Sequence, residues 1–236
     1  MSNAEFISTS IPNQKQFPLT WEPHAVNRIL DGIRNDEDRG RPLMIALVGI
    51  PGSGKSTSCH NIALLLEESG YPTMIMPFDG YHIPLEELTK LPNADDAIYR
   101  RGAPDTFDPI SLKRDLLNLR YGQEPILSFP GFDHAKGDPE PDQHEFIRSQ
   151  HSVVICEGLY LLHKDNEWDL QECFDFSIFI ESDLDKAMSR LKVRNRVIPG
   201  YTPEEIDIRV DVVDRANAEI VNLCKERASL VVQSNF

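Results

Sequence analysis

The chain has 236 residues, of which 40% are hydrophobic and 26% are charged, and its formal net charge is −14. This acidic balance argues against nucleic acid as a partner, and no apolar run approaches the length of a membrane span. The N-terminus lacks the apolar core of a signal peptide, and the four cysteines show no metal-type spacing, so we expect free thiols and a cytoplasmic protein: Cys59, Cys156, Cys173 and Cys224.

The first 20 residues are polar and irregular. Residues 23–34 carry apolar side chains at helical spacing: Val26, Ile29, Leu30 and Ile33. This pattern predicts an amphipathic helix that packs outside the core and is ended by a charged linker at 35–40. We therefore predict an N-terminal extension over residues 1–40 and a single domain over 41–236.

A glycine-rich stretch follows, and it fits the pattern G-x-x-x-x-G-K-[ST]: Gly49, Ile50, Pro51, Gly52, Ser53, Gly54, Lys55, Ser56 and Thr57. An unbroken apolar run at 43–48 precedes it as a buried strand, and residues 58–69 follow it as a helix, which is the context that a phosphate-binding loop needs. In such a loop Lys55 reaches the β- and γ-phosphates and the Ser56 hydroxyl holds Mg²⁺. The alternative is a strand-to-helix turn that binds nothing.

Beyond the loop, short apolar strands are predicted at 73–77 and 126–134, the second as a hairpin arm that leads into a loop up to residue 143. Residues 83–110 are mostly loop with short helix, and Ser111 is predicted to cap a helix that ends at Tyr121.

The last third of the chain continues the alternation. Strands are predicted at 152–158 and 174–180, followed by a helix at 183–196 that a break at Pro199-Gly200 ends. A long helix at 203–228 and a final strand at 230–232 complete the prediction. Strands that alternate with helices predict a three-layer α/β/α fold with a mostly parallel five-stranded core sheet, together with an arginine-bearing lid and the N-terminal helix.

Two carboxylates are predicted at the carboxyl ends of strands, the edge at which open parallel sheets bind ligands. Glu157 follows four apolar residues and is placed to hold Mg²⁺, directly or through water; the alternative is an ordinary strand-end acid. Asp79 follows the strand at 73–77 and could accept a hydroxyl proton near the γ-phosphate. A turn aspartate before glycine explains it equally well.

Three arginines, Arg190, Arg194 and Arg196, lie on and just beyond one helix, and the first two share a face. We predict a lid whose arginines close over the phosphates of the nucleotide, with a hinge at Pro199-Gly200; the alternative is a solvated helix face. Polar candidates for the acceptor side fall in two irregular stretches: His82, Arg100, Arg101, Asp105, Asp133 and His134.

Taken together, these segments resemble the phosphoribulokinase / uridine kinase / pantothenate kinase family of P-loop kinases, over residues 43–232. The matching stretches are the loop at 49–57, Phe78-Asp79-Gly80-Tyr81-His82, Arg101-Gly102-Ala103-Pro104-Asp105-Thr106-Phe107-Asp108, Phe132-Asp133-His134, the strand that ends at Glu157-Gly158, and the lid arginines. The chain is most similar to pantothenate-kinase-like bacterial proteins and fungal ATP-dependent kinases.

The resemblance implies a kinase that uses ATP and Mg²⁺, with Asp79 as the base and with Tyr81 and Phe107 added to the acceptor site. The chain lacks the long dimer elements of true pantothenate kinases, and a homodimer is left open. The segment at 101–108 departs from the uridine kinases, which leaves the acceptor open. The sequence thus predicts transfer of the γ-phosphate of ATP to a hydroxyl of a small metabolite. An ATPase or switch acting on a protein, a kinase of nucleoside monophosphates, and a family member that binds without catalysis stay open as alternatives.

Overall fold

The computed structural model describes residues 21–34, 40–133, 135–165, 167–198 and 200–235. In this part of the chain helices cover both faces of a five-stranded sheet, which confirms the predicted three-layer α/β/α fold with a parallel core sheet.

The helices are α1 Glu22–Arg34, α2 Lys55–Glu68, α3 Leu85–Leu88, α4 Ala94–Tyr99, α5 Pro109–Tyr121, α6 Leu184–Asn195, α7 Pro203–Arg209 and α8 Arg215–Asn222. The strands are β1 Leu43–Gly49, β2 Thr73–Pro77, β3 Ile126–Asp133, β4 Asp138–Ile147, β5 Val153–Gly158, β6 Lys164–Asp165, β7 Trp168–Asp169, β8 Phe176–Glu181 and β9 Leu230–Gln233.

The central sheet has the order β2-β5-β1-β8-β9, and all of its pairings are parallel. Every residue of β1 is buried, as expected for the middle strand of a sheet covered on both sides. Its neighbour β5 pairs Leu47 with Glu157, and β2 pairs Pro77 with Glu157. The carboxyl ends of β1, β2 and β5 therefore meet at one edge, which brings the loop after β1, Asp79 and Glu157 together.

Alternate side chains of the strands feed two separate cores. One face of β1 presents Met44, Ala46 and Val48 to a cluster that includes side chains of α5, α6 and α8. The other face presents Leu43, Ile45 and Leu47 to α1 and α2. This division follows from the two-residue period of a strand.

Helix α1 lies in the second core, so the prediction that it packs outside the core is wrong. Its side chains Ala25, Val26 and Ile29 are buried together with those of α2. Glu22 is also buried, and it accepts hydrogen bonds from the Ser58 hydroxyl at 2.8 Å and from the Asn235 amide. Periodicity located the helix but could not show which surface it covers. The predicted boundary of an extension at residue 40 stays a prediction, and residues 1–20 and 35–39 lie outside the described residues.

The stretch after β3 is a strand where a loop was predicted. Strands β3 and β4 form a two-stranded antiparallel sheet apart from the central one, with a register shift between Phe129 and Gly131. The prolines of β4, Pro139 and Pro141, made this segment look like a loop. Proline is tolerated on an edge strand, and both strands of a two-stranded sheet are edges.

Two predicted helices differ in detail. Helix α5 begins at Pro109, and its cap is the Asp108 carboxylate, which accepts a hydrogen bond from Ser111 N at 2.9 Å, so Ser111 is not the cap. The predicted long helix at 203–228 consists of α7, a π-helical segment Val210–Asp214, α8 and a 3₁₀ turn. Pro199 lies outside the described residues. No helix of the described ranges has the length and apolar character that crossing a membrane requires.

Candidate functional site

The loop between β1 and α2 is held open by glycines in the left-handed region. Gly52 has φ +75° and Gly54 has φ +89°, and a Cβ at Gly52 would lie 2.5 Å from the carbonyl oxygen of Ala187. Helix α6 thus packs directly on the loop. The Ser53 hydroxyl is buried without a hydrogen-bond partner in the described part of the chain, a polar atom left for an anion or a water.

Below the loop, one lysine and two carboxylates lie close together. Lys55 donates to Ile50 O at 3.0 Å, and Ser56 Oγ donates to Glu157 Oε1 at 3.1 Å. Burial lowers the pKa of Lys55, while the charges of Glu157 and Asp79 oppose that shift. Burial raises the pKa of Glu157, the Lys55 charge opposes this, and the Asp79 charge adds to it. The pairing of Pro77 with Glu157 places the Asp79 turn at the same edge of the sheet, so the three charges act on one another.

Two of the three predicted lid arginines face this loop. Gly52, Gly54, Lys55, Ser56, Thr57, Arg190, Leu191 and Arg194 line a cavity of about 320 Å³, which we call the phosphate cavity. Arg190 donates from Nε to Gly52 O at 3.0 Å and from its guanidinium to Ser182 Oγ at 2.8 Å. The Arg194 charge reaches Lys55, whose pKa it lowers. The cavity therefore gathers three cations in a strongly acidic protein.

Arg196 is placed differently. It is half-exposed, forms an ion pair with Asp207 at 2.7 Å, and does not line the phosphate cavity. Its predicted part in nucleotide binding stays a prediction.

Asp79 lies in a 3₁₀ turn, Phe78–Tyr81, directly after β2. Its carbonyl oxygen accepts from His82 Nδ1 at 2.8 Å. The next residue, Gly80, lies against β3, where an added Cβ would be 2.3 Å from Pro130 O. Only glycine permits this approach, so the hairpin of β3 and β4 fixes the turn that carries Asp79.

Stacked rings fill the space beside the turn. Phe78 stacks on Phe107 with centroids 4.2 Å apart, and the His82 ring lies 3.9 Å from Phe107 and 4.8 Å from Phe132. Burial lowers the pKa of His82, although the Asp79 charge opposes this. We conclude that His82 is a neutral imidazole at pH 7 whose Nδ1 carries the proton.

The remaining predicted acceptor residues are held by partners within the protein. Tyr81 is buried and donates to Asp115 at 2.9 Å, and Asp105 forms an ion pair with Arg100 at 2.9 Å, which holds its pKa below the usual range. Asp133 accepts from the backbone of Ala135 at 2.8 Å. His134 lies outside the described residues.

Arg101 is a clamp between segments. Its guanidinium donates to Ile83 O at 3.1 Å and also to Gly137 O and the Asp138 carboxylate. Asp138 accepts in turn from Leu85 N at 3.0 Å. Arg101 thereby joins the tip of the β3–β4 hairpin to the start of α3.

The Asp79 turn borders one of two further cavities, which adjoin each other. The aromatic cavity, of about 930 Å³, has a wall that includes Tyr99, Phe107, His163, Trp168 and Asn217. The hairpin cavity, of about 650 Å³, is lined by Gly80, Tyr81 and His82 on one side and by Pro130, Pro139, Glu140 and Pro141 on the other. Ile83 and Phe107 line both, so the two cavities share a wall.

Sequence reasoning missed several of these residues. Tyr160 is fully buried and donates to Gly102 O at 2.7 Å, and Arg209 donates to Arg101 O at 2.8 Å. Asn217 and Trp168 lie in the wall of the aromatic cavity. A buried asparagine within the predicted helix at 203–228 was the one available signal, because asparagine favours caps over helix interiors.

The end of the described chain supports the loop. Ser234 Oγ donates to Ser53 O at 2.9 Å, and Asn235 donates to Glu22, which also holds Ser58 of α2. Residues from the beginning and the end of the described part of the chain thus meet beneath the phosphate-binding loop.

The residues of the phosphate cavity fit Mg-ATP. The left-handed glycines turn backbone N–H groups toward an anion, Ser53 keeps a free hydroxyl, and three cations face the same space. Ser56 and Glu157 are an oxygen pair of the kind that Mg²⁺ prefers, within 3.1 Å of each other.

Comparison with known proteins places this geometry in context. The sequence profile described as Phosphoribulokinase / Uridine kinase family matches residues 44–235. A Schizosaccharomyces pombe protein provisionally named as a uridine kinase is 32% identical over 81% of this chain and 83% of its own length. A pantothenate kinase of Rhodococcus erythropolis is 29% identical over 63% of this chain and 46% of its own.

Among solved structures, a protein of Silicibacter sp. TM1040, provisionally described as a fructose transport system kinase, is similar with a TM-score of 0.79 and 29% identity. The similarity covers 89% of this chain and 98% of that one. The fold thus has a counterpart over 89% of this chain.

Proposed function

Because the chain belongs to the phosphoribulokinase / uridine kinase family, we propose that it transfers the γ-phosphate of Mg-ATP to a hydroxyl group of a small molecule, with Asp79 as the base. The chain is a small-molecule kinase by its family; the donor, the metal and the residue roles are our proposal. The observation that carries it is the grouping of Lys55, Glu157 and Asp79 below the loop.

The donor side is proposed as follows. The loop residues Gly49, Pro51, Gly52, Ser53, Gly54 and Thr57 surround the phosphates with backbone N–H groups and hydroxyls. Lys55, Arg190 and Arg194 neutralise the charge that spreads over the phosphoryl oxygens in the transition state. Bound Mg²⁺ would supply further charge neutralisation at the β- and γ-oxygens, and Ser56 and Glu157 would hold it.

On the acceptor side, Asp79 orients the hydroxyl and takes its proton as the new P–O bond forms. His82 positions Asp79 through the hydrogen bond to its carbonyl oxygen, and Gly80 lets β3 hold the turn from the other side. Because little covalent chemistry is asked of the protein, positioning and electrostatics supply most of the rate.

The test is Asp79→Asn, measured by nucleotide binding and by acceptor-dependent ADP release across a panel of hydroxylated metabolites. The variant keeps its affinity for Mg-ATP within about threefold and loses at least 10²-fold in kcat, the usual range for a general base. Glu86→Gln, on an exposed face of α3, is the matched control and leaves both unchanged. Undiminished turnover in Asp79→Asn with a phosphorylated acceptor would remove the base from the proposal.

Two alternatives are less well supported. A kinase of nucleoside monophosphates needs cations on the acceptor side, but Arg100 and Arg101 are both engaged with carboxylates. A protein-directed ATPase has no use for a carboxylate at Asp79 beside the hairpin cavity. A homodimer stays a prediction.

A further inference from the structure

The charges that line the cavities are sharply divided. The phosphate cavity is lined by Lys55, Arg190 and Arg194 and, among the described residues, by no carboxylate. The aromatic cavity has the opposite character, since four carboxylates line it against the single arginine Arg100: Asp96, Asp105, Asp165 and Glu167. The donor side thus attracts anions and the acceptor side repels them.

The one arginine of the aromatic cavity is already neutralised. Arg100 forms ion pairs with Asp96 at 2.8 Å and with Asp105 at 2.9 Å. Burial lowers the pKa of His163, so this side chain adds no positive charge at pH 7. Asp165 and Glu167 have no cationic partner in the described ranges, and they leave the rim with an uncompensated negative charge.

The hairpin cavity is also acidic, but less so. Its lining carries five carboxylates and one arginine; Arg114 is paired with Asp115 at 2.9 Å, and Glu87 and Glu140 are paired with Lys90 and Lys136. His82 is neutral for the reason given above. Glu167 belongs to both cavities, so its carboxylate lies where they join.

The Asn217 amide faces the aromatic cavity without a protein partner. Asn217 is 3% exposed and lines the cavity, and no hydrogen bond joins its side chain to another residue in the described part of the protein. Its amide oxygen and nitrogen are not among the polar atoms sealed from solvent without a partner, so they are reached through the cavity and can pair with a ligand there. The adjoining wall is aromatic: Trp168 meets Phe107 edge to face, while the Phe107 ring is itself stacked against Phe78 and His82.

We propose that the acceptor is an alcohol without any anionic group, either uncharged or cationic, that binds in the aromatic cavity and pairs with the Asn217 amide. This inference rests on the proposed function, because it takes as the acceptor site the hairpin cavity, which the Asp79 turn lines, together with the aromatic cavity that adjoins it. It separates the acceptor by charge from carboxylated or phosphorylated alcohols, which Asp165 and Glu167 repel at the entrance.

The first experiment uses matched ligands that differ in one anionic group: a nucleoside and its 5′-monophosphate, panthenol and pantothenate, and nicotinamide riboside and nicotinate riboside. Binding to the ADP-Mg complex is measured by thermal shift and calorimetry. The uncharged or cationic member binds at least about tenfold tighter, since each unpaired rim carboxylate contributes about fivefold. In Asp165→Asn/Glu167→Gln the preference falls to about threefold or less, whereas Glu226→Gln, remote and exposed, keeps it.

The second experiment needs no acceptor. The chain has two tryptophans, Trp21 and Trp168. In Trp21→Phe only the cavity residue Trp168 fluoresces, and in Trp168→Phe only the reference residue Trp21 does. Compared with the fluorescence of Trp21, that of Trp168 is quenched more by Cs⁺ and less by I⁻. The ratio of the Cs⁺ to the I⁻ quenching constant is at least threefold higher for Trp168 than for Trp21, and Asp165→Asn/Glu167→Gln reduces this difference.

Equal or tighter binding of the anionic members, no preference in any pair, or equal quenching ratios at the two tryptophans would overturn the inference. Phosphoryl transfer is followed in parallel. A charge preference in binding without transfer to any member supports this inference and contradicts the proposed function, so the two failures are distinguishable.

Discussion

Replacing Arg101 tests whether this arginine is a structural clamp or a ligand of the acceptor. Its side chain is 10% exposed, and it donates to Ile83 O, Gly137 O and Asp138. Arg101→Ala removes two hydrogen bonds to carbonyls, worth about 1 kcal/mol each, and one to a carboxylate, worth about 2 kcal/mol. Arg101 Nε is buried without a partner in the described ranges, and removing that orphan returns about 1 kcal/mol.

The expected loss is therefore about 3 kcal/mol of the free energy of unfolding, or roughly 6 to 12 °C in Tm for a protein of this size. Urea and thermal unfolding measure it, and amide hydrogen exchange shows the loss concentrated in residues 126–147. Arg101→Lys recovers only part, because an ammonium cannot match the geometry of a guanidinium that serves three acceptors.

The neighbouring residue supplies the control. Arg100 makes ion pairs with the exposed carboxylates of Asp96 and Asp105, so Arg100→Ala costs about 0 to 1 kcal/mol. Equal destabilisation by the two alanine variants would refute the clamp. So would an Arg101→Ala protein of normal stability whose only defect is a raised KM for the acceptor.

Two further predictions concern the frame of the site. Burial raises the pKa of Asp175, but hydrogen bonds from Arg41 and Arg120 outweigh it and lower the value to about 2. Asp175→Asn therefore lowers the free energy of unfolding by about 2 kcal/mol above pH 4. In urea unfolding, the difference in this free energy between wild type and variant shrinks as the pH falls from about 4 toward 2, because the wild-type carboxylate becomes protonated. A difference that does not depend on pH would contradict this. In Gly80→Ala the added methyl group pushes the Asp79 turn away from Pro130 O, so kcat falls at least tenfold while the affinity for Mg-ATP is kept. The control is Gly137→Ala, which has open space at its Cβ but a φ of +67°, so it lowers stability and leaves kcat unchanged. An unchanged kcat in Gly80→Ala would show that β3 does not position Asp79.

The central sheet and the loop could be predicted because their signals are local. An apolar run, a glycine pattern and a helix stop are read within about ten residues, and parallel strands fix which ends meet. Glu157 and Asp79 came out beside Lys55 for that reason. The hairpin strand β4 was missed because Pro139 and Pro141 are typical of loops, and only its position at an edge makes them acceptable.

Partners distant in sequence were beyond this reasoning. Arg101 was predicted as an acceptor ligand, but whether its guanidinium is free depends on Gly137 and Asp138, more than 30 residues away. Arg196 likewise meets Asp207 only because α7 turns back toward α6. Charge and spacing identify a residue that can bind an anion, and the fold decides whether that residue is already occupied.

The hydrogen bonds from Ser234 to Ser53 and from Asn235 to Glu22 have a consequence for synthesis of the protein. The nascent chain carries the entire phosphate-binding loop by residue 57, yet the support beneath that loop is complete only once the ribosome has passed residue 235. Ser234 and Asn235 can take up these positions only after they have left the exit tunnel, so the loop of a shorter nascent chain lacks this support. Retention of nascent chains on immobilised ATP would then rise when residues 234 and 235 emerge, not when the glycine motif emerges.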